Sequence, residues 1–355
     1  MADKQWHLIT VTHNRDGEAK IYKDGQAAAS ANIAPKQGSI DTTYSTKVAQ
    51  DGTGTYNYAL NAKIDHLQMF KRELTANEVL SLYKSAPSSP KKVLVIGIDG
   101  LRPDALQAAN TPNIDALVSN GSYSWNAQAN SNYTWSATGW STVHTGVWYG
   151  KHGVKDNSWA NSNFSQYPPL MNRVEDYNST LYTASIVHWA PINATLLSGI
   201  DKEVNVSTDT AVTTETQKLM QTANPDLTFV HYDDVDHAGH DYGFSPAVPQ
   251  YISAIEAIDA KVGTLVNAVT SREQYAQEDW LIILTTDHGG KGTSHGGSSV
   301  EERTIFLIVS GTSAAKGALA AAPNQTDTLI TALKHLNVPI RTEWNLDGKA
   351  VGLLP

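Results

Sequence analysis

Two apolar runs, each closed by a carboxylate, limit what this chain can fold into more than any other feature. Lys91-Lys92-Val93-Leu94-Val95-Ile96-Gly97-Ile98 leads into Asp99, and Leu281-Ile282-Ile283-Leu284-Thr285-Thr286 leads into Asp287 and His288. Runs of this length and character suit strands buried on both faces, as in a parallel sheet covered by helices. Ligands of such sheets gather at the carboxyl ends of the strands. A lone strand-end aspartate equally well caps a helix or turn, so the weight lies in the company these residues keep.

A third block, Thr228-Phe229-Val230-His231-Tyr232-Asp233-Asp234-Val235-Asp236-His237-Ala238-Gly239-His240, repeats the design, with Asp236 and His240 four residues apart. Ser294-His295-Gly296-Gly297 follows the Asp287 block closely. Carboxylate oxygens mixed with imidazole nitrogens suit zinc, whereas calcium and magnesium favour shells of oxygen alone. Taken singly, each histidine reads as a surface or hydrogen-bonded loop residue; three strand-end clusters together reverse that preference. A fourth block, Trp135-Ser136-Ala137-Thr138-Gly139-Trp140-Ser141-Thr142-Val143-His144-Thr145-Gly146, is rich in small hydroxyl residues. Such runs usually mark caps and turns, and the local pattern does not select a nucleophile.

In order and identity, these blocks resemble the alkaline phosphatase superfamily, in particular its type I phosphodiesterase and nucleotide pyrophosphatase branch, over residues 91 to 355. The resemblance implies an α/β fold: a mixed, mostly parallel central sheet flanked by helices. It implies a zinc-dependent hydrolase of small phosphate esters, with a nucleophile nine residues before a Thr-Gly pair; here that is Ser136 before Thr145-Gly146. The branch usually carries threonine there, so serine departs from the pattern while keeping a hydroxyl. Two zinc ions per catalytic domain are implied, one on Asp99, Asp287 and His288, the other on Asp236, His240 and His295, with Ser136 touching the first. Gly153-Val154-Lys155-Asp156-Asn157 matches the branch's phosphate-contacting asparagine, which points to Asn157. A backbone N–H after Ser136 would assist it if a helix begins there.

Related activities on the same fold were weighed. The sulfatase signature Cys/Ser-x-Pro-x-Arg is not met, because the chain has no cysteine and reads Ser136-Ala137-Thr138-Gly139-Trp140. Phosphonate hydrolysis on a similar two-zinc site stays open, and so does a catalytically silent, carbohydrate-binding protein, although all seven metal and nucleophile positions hold competent residues. Among the aromatic residues near the nucleophile, Trp135 is the first choice as a wall for an aryl or base leaving group. His144, His152, His231 and His237 match no ligand position and are left as supporting or structural residues.

Residues 1–84 read differently. Trp6 to Thr12 alternates like a strand, and Ala19-Lys20-Ile21-Tyr22-Lys23 enters an Asp24-Gly25 hairpin turn. With Ile64 to Val79 as a closing strand and short helix, where Thr75 and Glu78 form a capping box, the segment resembles the later part of a laminin-G or concanavalin-like jelly roll. The resemblance allows glycan contact or simple adhesion as roles, with a vestigial spacer as the preferred expectation. A polar junction, residues 85–90, separates it from a catalytic domain at 91–355. The formal charge of −9 argues against polymeric nucleic acid as a partner, and no run of apolar residues is long enough to span a membrane. Both resemblances are commonest outside the cytoplasm, giving a secreted or periplasmic location as the expectation; oligomeric state is left open.

Overall fold

The computed structural model describes residues 7–36, 64, 67–85 and 89–354, and the chain divides into two units, 1–88 and 89–355. Trp6, Asp65, His66 and residues 86–88 of the polar junction lie outside the described residues.

In the first unit, β1 (Ile9–His13), β2 (Glu18–Lys23) and β3 (Gln26–Asn32) form an antiparallel sheet in that order. Asp24 and Gly25 join β2 to β3 with φ of 52° and 78°, the left-handed pair that a tight hairpin requires. Helix α1 (Ala76–Ser85) is capped as its sequence suggests. The Glu78 N–H donates to Thr75 Oγ1 at 3.3 Å and the Thr75 N–H donates to the Glu78 carboxylate at 2.8 Å. Leu67–Phe70, expected as a closing strand, carry no strand, since no ladder partner meets them among the described residues.

The second unit is built on an eight-stranded sheet. Its strands are β4 (Lys91–Ile98), β5 (Gly121–Gln128), β6 (Thr183–Val187), β7 (Lys202–Asn205), β8 (Leu227–Tyr232), β9 (Asp279–Thr285), β10 (Thr304–Gly311) and β11 (Gly317–Ala318). They lie in the order β11-β5-β10-β9-β4-β8-β6-β7. Only β10 runs against its neighbours; the other pairings are parallel. Its helices are α2 (Pro103–Ala108), α3 (Pro112–Ser119), α4 (Ser136–Thr145), α5 (Tyr149–His152), α6 (Leu170–Tyr177), α7 (Asp209–Thr222), α8 (Asp234–Tyr242), α9 (Pro249–Thr270), α10 (Val300–Arg303) and α11 (Asp327–His335).

The period of two along β4 sorts its side chains into two cores. Leu94, Ile96 and Ile98 join the cluster with α3, α7 and α9, while Val93 and Val95 join the one with α4, α6 and α11. Both faces are therefore covered, which is why the strand reads as unbroken apolar sequence. Gly97 is the exception: a Cβ there would stand 2.4 Å from the Trp140 ring, so its absence lets the indole of α4 lie on the strand. In register, Ile98 pairs with Tyr232 and Gly97 with Thr285. The three central strands β9, β4 and β8 thus end level, and their next residues share one edge.

The helix that starts at Ser136 is buried along its whole length. Its His144 packs edge-on against Phe229 at 4.4 Å, and neither ring nitrogen has a hydrogen-bond partner. His152 is held neutral differently: Nδ1 accepts from the Val154 N–H at 3.2 Å, leaving Nε2–H to donate to Thr142 Oγ1 at 3.0 Å. Burial pushes both histidines down to about 3, while in an unfolded chain they protonate near pH ~6.5. Their contribution to stability is present above that unfolded value and is lost as pH falls from it toward 3. The expected loss is about 1.4 kcal/mol per histidine per pH unit in that window. Urea midpoints at pH 7 and 5 measure it, and His144→Phe should flatten the profile; a midpoint that ignores pH in both proteins would contradict the neutral assignment.

Candidate metal centre

Each strand end delivers a carboxylate to one point. Asp99 follows β4, Asp287 and His288 follow β9, and Asp236 sits in the first turn of α8 just after β8. Buried Asp209 accepts from the N–H groups of Asp233 and Asp234 at 2.9 and 3.0 Å. That fixes the start of α8, and one turn later His240 Nε2 lies 3.3 Å from Asp236 Oδ2. Gly139 lets α4 approach: a Cβ there would stand 2.7 Å from the Asp287 carbonyl oxygen. Ser136, the first residue of α4, then places its Oγ 3.2 Å from His288 Nε2.

His288 Nε2 also lies 3.3 Å from Asp99 Oδ1 and 3.2 Å from Asp287 Oδ2. Neither contact is aligned as a hydrogen bond. Asp99 Oδ1, Asp236 Oδ1 and Asp287 Oδ2 are all buried without a donor. The three imidazoles share one orientation device: Nδ1 of His288, His240 and His295 donates to the carbonyls of Gly289 (2.7 Å), Thr293 (2.9 Å) and Thr134 (2.9 Å). With Nδ1–H committed outward, the Nε2 lone pairs point inward, as metal-binding histidines are held. His240 and His295 bring their Nε2 atoms within 3.1 Å of each other, a contact between two acceptors unless a proton or cation lies between them.

Among the described residues four groups offer ligand atoms all within 4.8 Å of one another, and two of them lie at this point: Asp236, His240 and His295, and Asp99, Asp236 and His288. Asp236 faces both groups, and Asp287 adjoins the second through His288. This donor set, mixed oxygen and nitrogen with orphaned carboxylate oxygens, fits divalent cations of the zinc type. Without cations, protons are drawn in instead. Against the cost of burial, the Asp287 and Asp99 carboxylates push His288 up to about 10, and contact with Asp236 pushes His240 up to about 9. Burial and the charge of Asp99 hold Asp287 well above the usual carboxylate range. Asp99 goes the other way, because contacts from His231 and His288 outweigh its burial.

All eight residues singled out in the sequence meet here except that Asn157 stands on an exposed loop at the rim, where its Oδ1 accepts from the Ala137 N–H at 2.9 Å. The backbone N–H after Ser136, expected to meet a phosphate itself, is thus spent on Asn157. Trp135 is 37% exposed beside Ser136 and packs edge-on against His295 at 5.6 Å. Two residues support Asp99 from outside the ligand set, His231 in the supporting role read for it from sequence and Trp140 without any such reading. His231 and Trp140 donate to Asp99 Oδ2 at 3.0 and 2.9 Å. A histidine inside an otherwise apolar strand was the available signal for the first; nothing local marks the second. Gln325 Nε2 donates to the Asp287 carbonyl at 2.6 Å and was missed for the same reason.

Residues 93–183 and 168–308 match the family model of type I phosphodiesterase / nucleotide pyrophosphatase, and residues 1–80 match that of the concanavalin A-like lectin/glucanases superfamily. The chain is 32% identical over 138 residues to the human GPI ethanolamine phosphate transferase 2 catalytic subunit, covering 37% of this chain and 14% of that protein. It is 32% identical over 111 residues to a phosphopentomutase of Pectobacterium atrosepticum, covering 31% of this chain and 25% of that one. It therefore spans a quarter or less of the length of these relatives. In three dimensions it is similar to murine ectonucleotide pyrophosphatase/phosphodiesterase 5, solved in an inactive form in complex with AMP, with TM-score 0.58 and 15% identity over 74% of this chain and 97% of that one. A 2-O GAG sulfatase gives TM-score 0.60 at 13% identity, over 74% and 73%. At such identities the likeness shows the fold.

Because His288 and His240 hold protons that a metal would displace, zinc loading of metal-free protein at pH 8 should release protons, and metal affinity should rise with pH up to about 9 to 10. A pH indicator in weakly buffered solution reads the release; uptake without release would contradict the protonated state of His288 and His240 in the metal-free protein.

Proposed function

Because the chain belongs to the type I phosphodiesterase / nucleotide pyrophosphatase family of hydrolases, we propose that it cleaves small phosphate esters in two steps through a phosphoserine on Ser136. The observation that carries this reading is the 3.2 Å contact of Ser136 Oγ with the His288 nitrogen that also faces Asp99 and Asp287. Ser136 thus sets a hydroxyl directly against the centre, at the start of α4.

Asp99, Asp287 and His288 would hold one zinc ion and Asp236, His240 and His295 the other. Bound there, the ions would supply the positive charge that acidifies a nearby hydroxyl and offsets charge on entering and leaving oxygens. Ser136 attacks phosphorus in line, forming the new P–O bond as the ester bond breaks and the alcohol departs; water then cleaves the phosphoserine and frees phosphate or a monoester. The N-terminus of α4 directs its positive dipole end at the transferred group. Asn157 accepts from Ala137 through Oδ1, which leaves its Nδ2 hydrogens for a non-bridging oxygen. Solvent reaches the site from the His240 side, where that side chain is 42% exposed, and Trp135 offers a flat wall beside the nucleophile. The AMP held by the murine neighbour supports nucleotides among the substrates.

Ser136→Ala should abolish turnover of p-nitrophenyl phosphate and bis-p-nitrophenyl phosphate while retaining bound zinc, measured by metal analysis beside the rates. Full activity in that variant would remove Ser136 from the chemistry. Asn157→Ala should lower kcat by about 100-fold, the scale for losing one donor to developing oxyanion charge, with metal content unchanged. The ratio of kcat/KM for the two esters then assigns monoester or diester preference.

A further inference from the structure

Several buried cations among the described residues are fully paired. Arg272 donates to the carbonyls of Met220 and Ala223 and pairs with Glu278; Arg102 donates to the carbonyls of Phe244 and Gly290 and pairs with Asp104; Lys92 pairs with Asp226. Arg173, on α6, departs from this, as does Arg303, whose Nε is likewise buried without a hydrogen-bond partner. Arg173 is only 8% exposed, and its Nε is buried with no hydrogen-bond partner. Its guanidinium lies 4.4 Å over the Trp344 ring, which supplies a flat electron-rich face but accepts none of its N–H donors in the plane. Burying a guanidinium with unmet donors is costly unless an acceptor arrives.

Arg173 lines a cleft of about 110 Å³ shared with Asp176, Tyr177, Arg341 and Trp344. Arg341 is a second cation on the same cleft, 56% exposed and only loosely paired with Glu343 at 4.0 Å. The cleft belongs to α6 and the segment after α11, not to the strand-end loops of the metal centre. We propose that it is a binding site for a small oxyanion, of the sulfate or phosphate class, gripped by Arg173 and Arg341 beside the Trp344 ring. Guanidinium forks match oxyanion geometry better than any neutral acceptor does. The volume is enough for one such group. Asp176 and Glu343 both face Arg173 and oppose the two cations, which limits the attraction to a single anionic group.

Sulfate is titrated calorimetrically into the full-length, zinc-loaded protein at constant ionic strength, and into Arg173→Gln and Arg341→Gln. The expected result is saturable binding of one sulfate with Kd of about 1–5 mM or tighter, weakened at least tenfold in each variant, with p-nitrophenyl ester hydrolysis unchanged. Arg341 is exposed, so its variant decides the matter even where Arg173→Gln fails to fold. Equal sulfate affinity in wild type and Arg341→Gln, which is what binding at the metal centre would give, overturns the proposal. So does the lack of saturable binding up to about 50 mM.

Discussion

Asp99, Asp236 and Asp287 bury carboxylates around one set of imidazole nitrogens, and each leaves one oxygen without a donor. Two unit charges 4 Å apart repel by about 4 kcal/mol at an effective dielectric of 20, so this arrangement cannot stand at neutral pH without protons or cations among the oxygens. The rest of the domain serves to impose it. Level strand ends bring the acids together, glycines at 97 and 139 let α4 close over them, and Asp209 sets the start of α8 so that Asp236 and His240 face the same point.

The surrounding layer determines which way each ligand faces. Backbone carbonyls of Gly289, Thr293 and Thr134 take the Nδ1 protons of three histidines, and Trp140 and His231 occupy the outer oxygen of Asp99. Every group that could otherwise turn away is thereby fixed inward, which lowers the reorganisation needed when a charged ligand arrives. The N-terminal unit shows the opposite economy. Its described core is Tyr22, Leu74 and Val79, while Ile9, Val11 and Ile21 stay exposed on the sheet. Three strands with so little buried area are marginal by themselves, whereas the catalytic unit covers both faces of its sheet.

Much of this was legible from the chain alone. The apolar runs 91–98 and 281–286 are β4 and β9, and the Thr75–Glu78 box caps α1 as read, while the hydroxyl-rich block, whose pattern suits caps and turns, is the helix α4. Those signals are local: a run of branched side chains or a cap spaced by three residues carries its meaning within a single element. Leu67–Phe70 did not follow, because a strand needs a ladder partner that its own sequence does not specify.

The sequence by itself determined which acids and histidines could do the chemistry, since such residues at strand ends are identifiable by type and setting, while Ser136 rested on the family resemblance. Only the tertiary structure decided that they meet. Gly100 donates to Asp287 across 187 residues of sequence, and the register of β9 against β4 is what turns that separation into contact. It also decided that the Ala137 N–H serves Asn157, that Asp236 faces both groups, that Trp140 and His231 support Asp99, and that the Nε of Arg173 is left without an acceptor. These depend on packing between distant segments, and side-chain period and composition, being properties of one segment at a time, do not encode which distant surface a segment will meet.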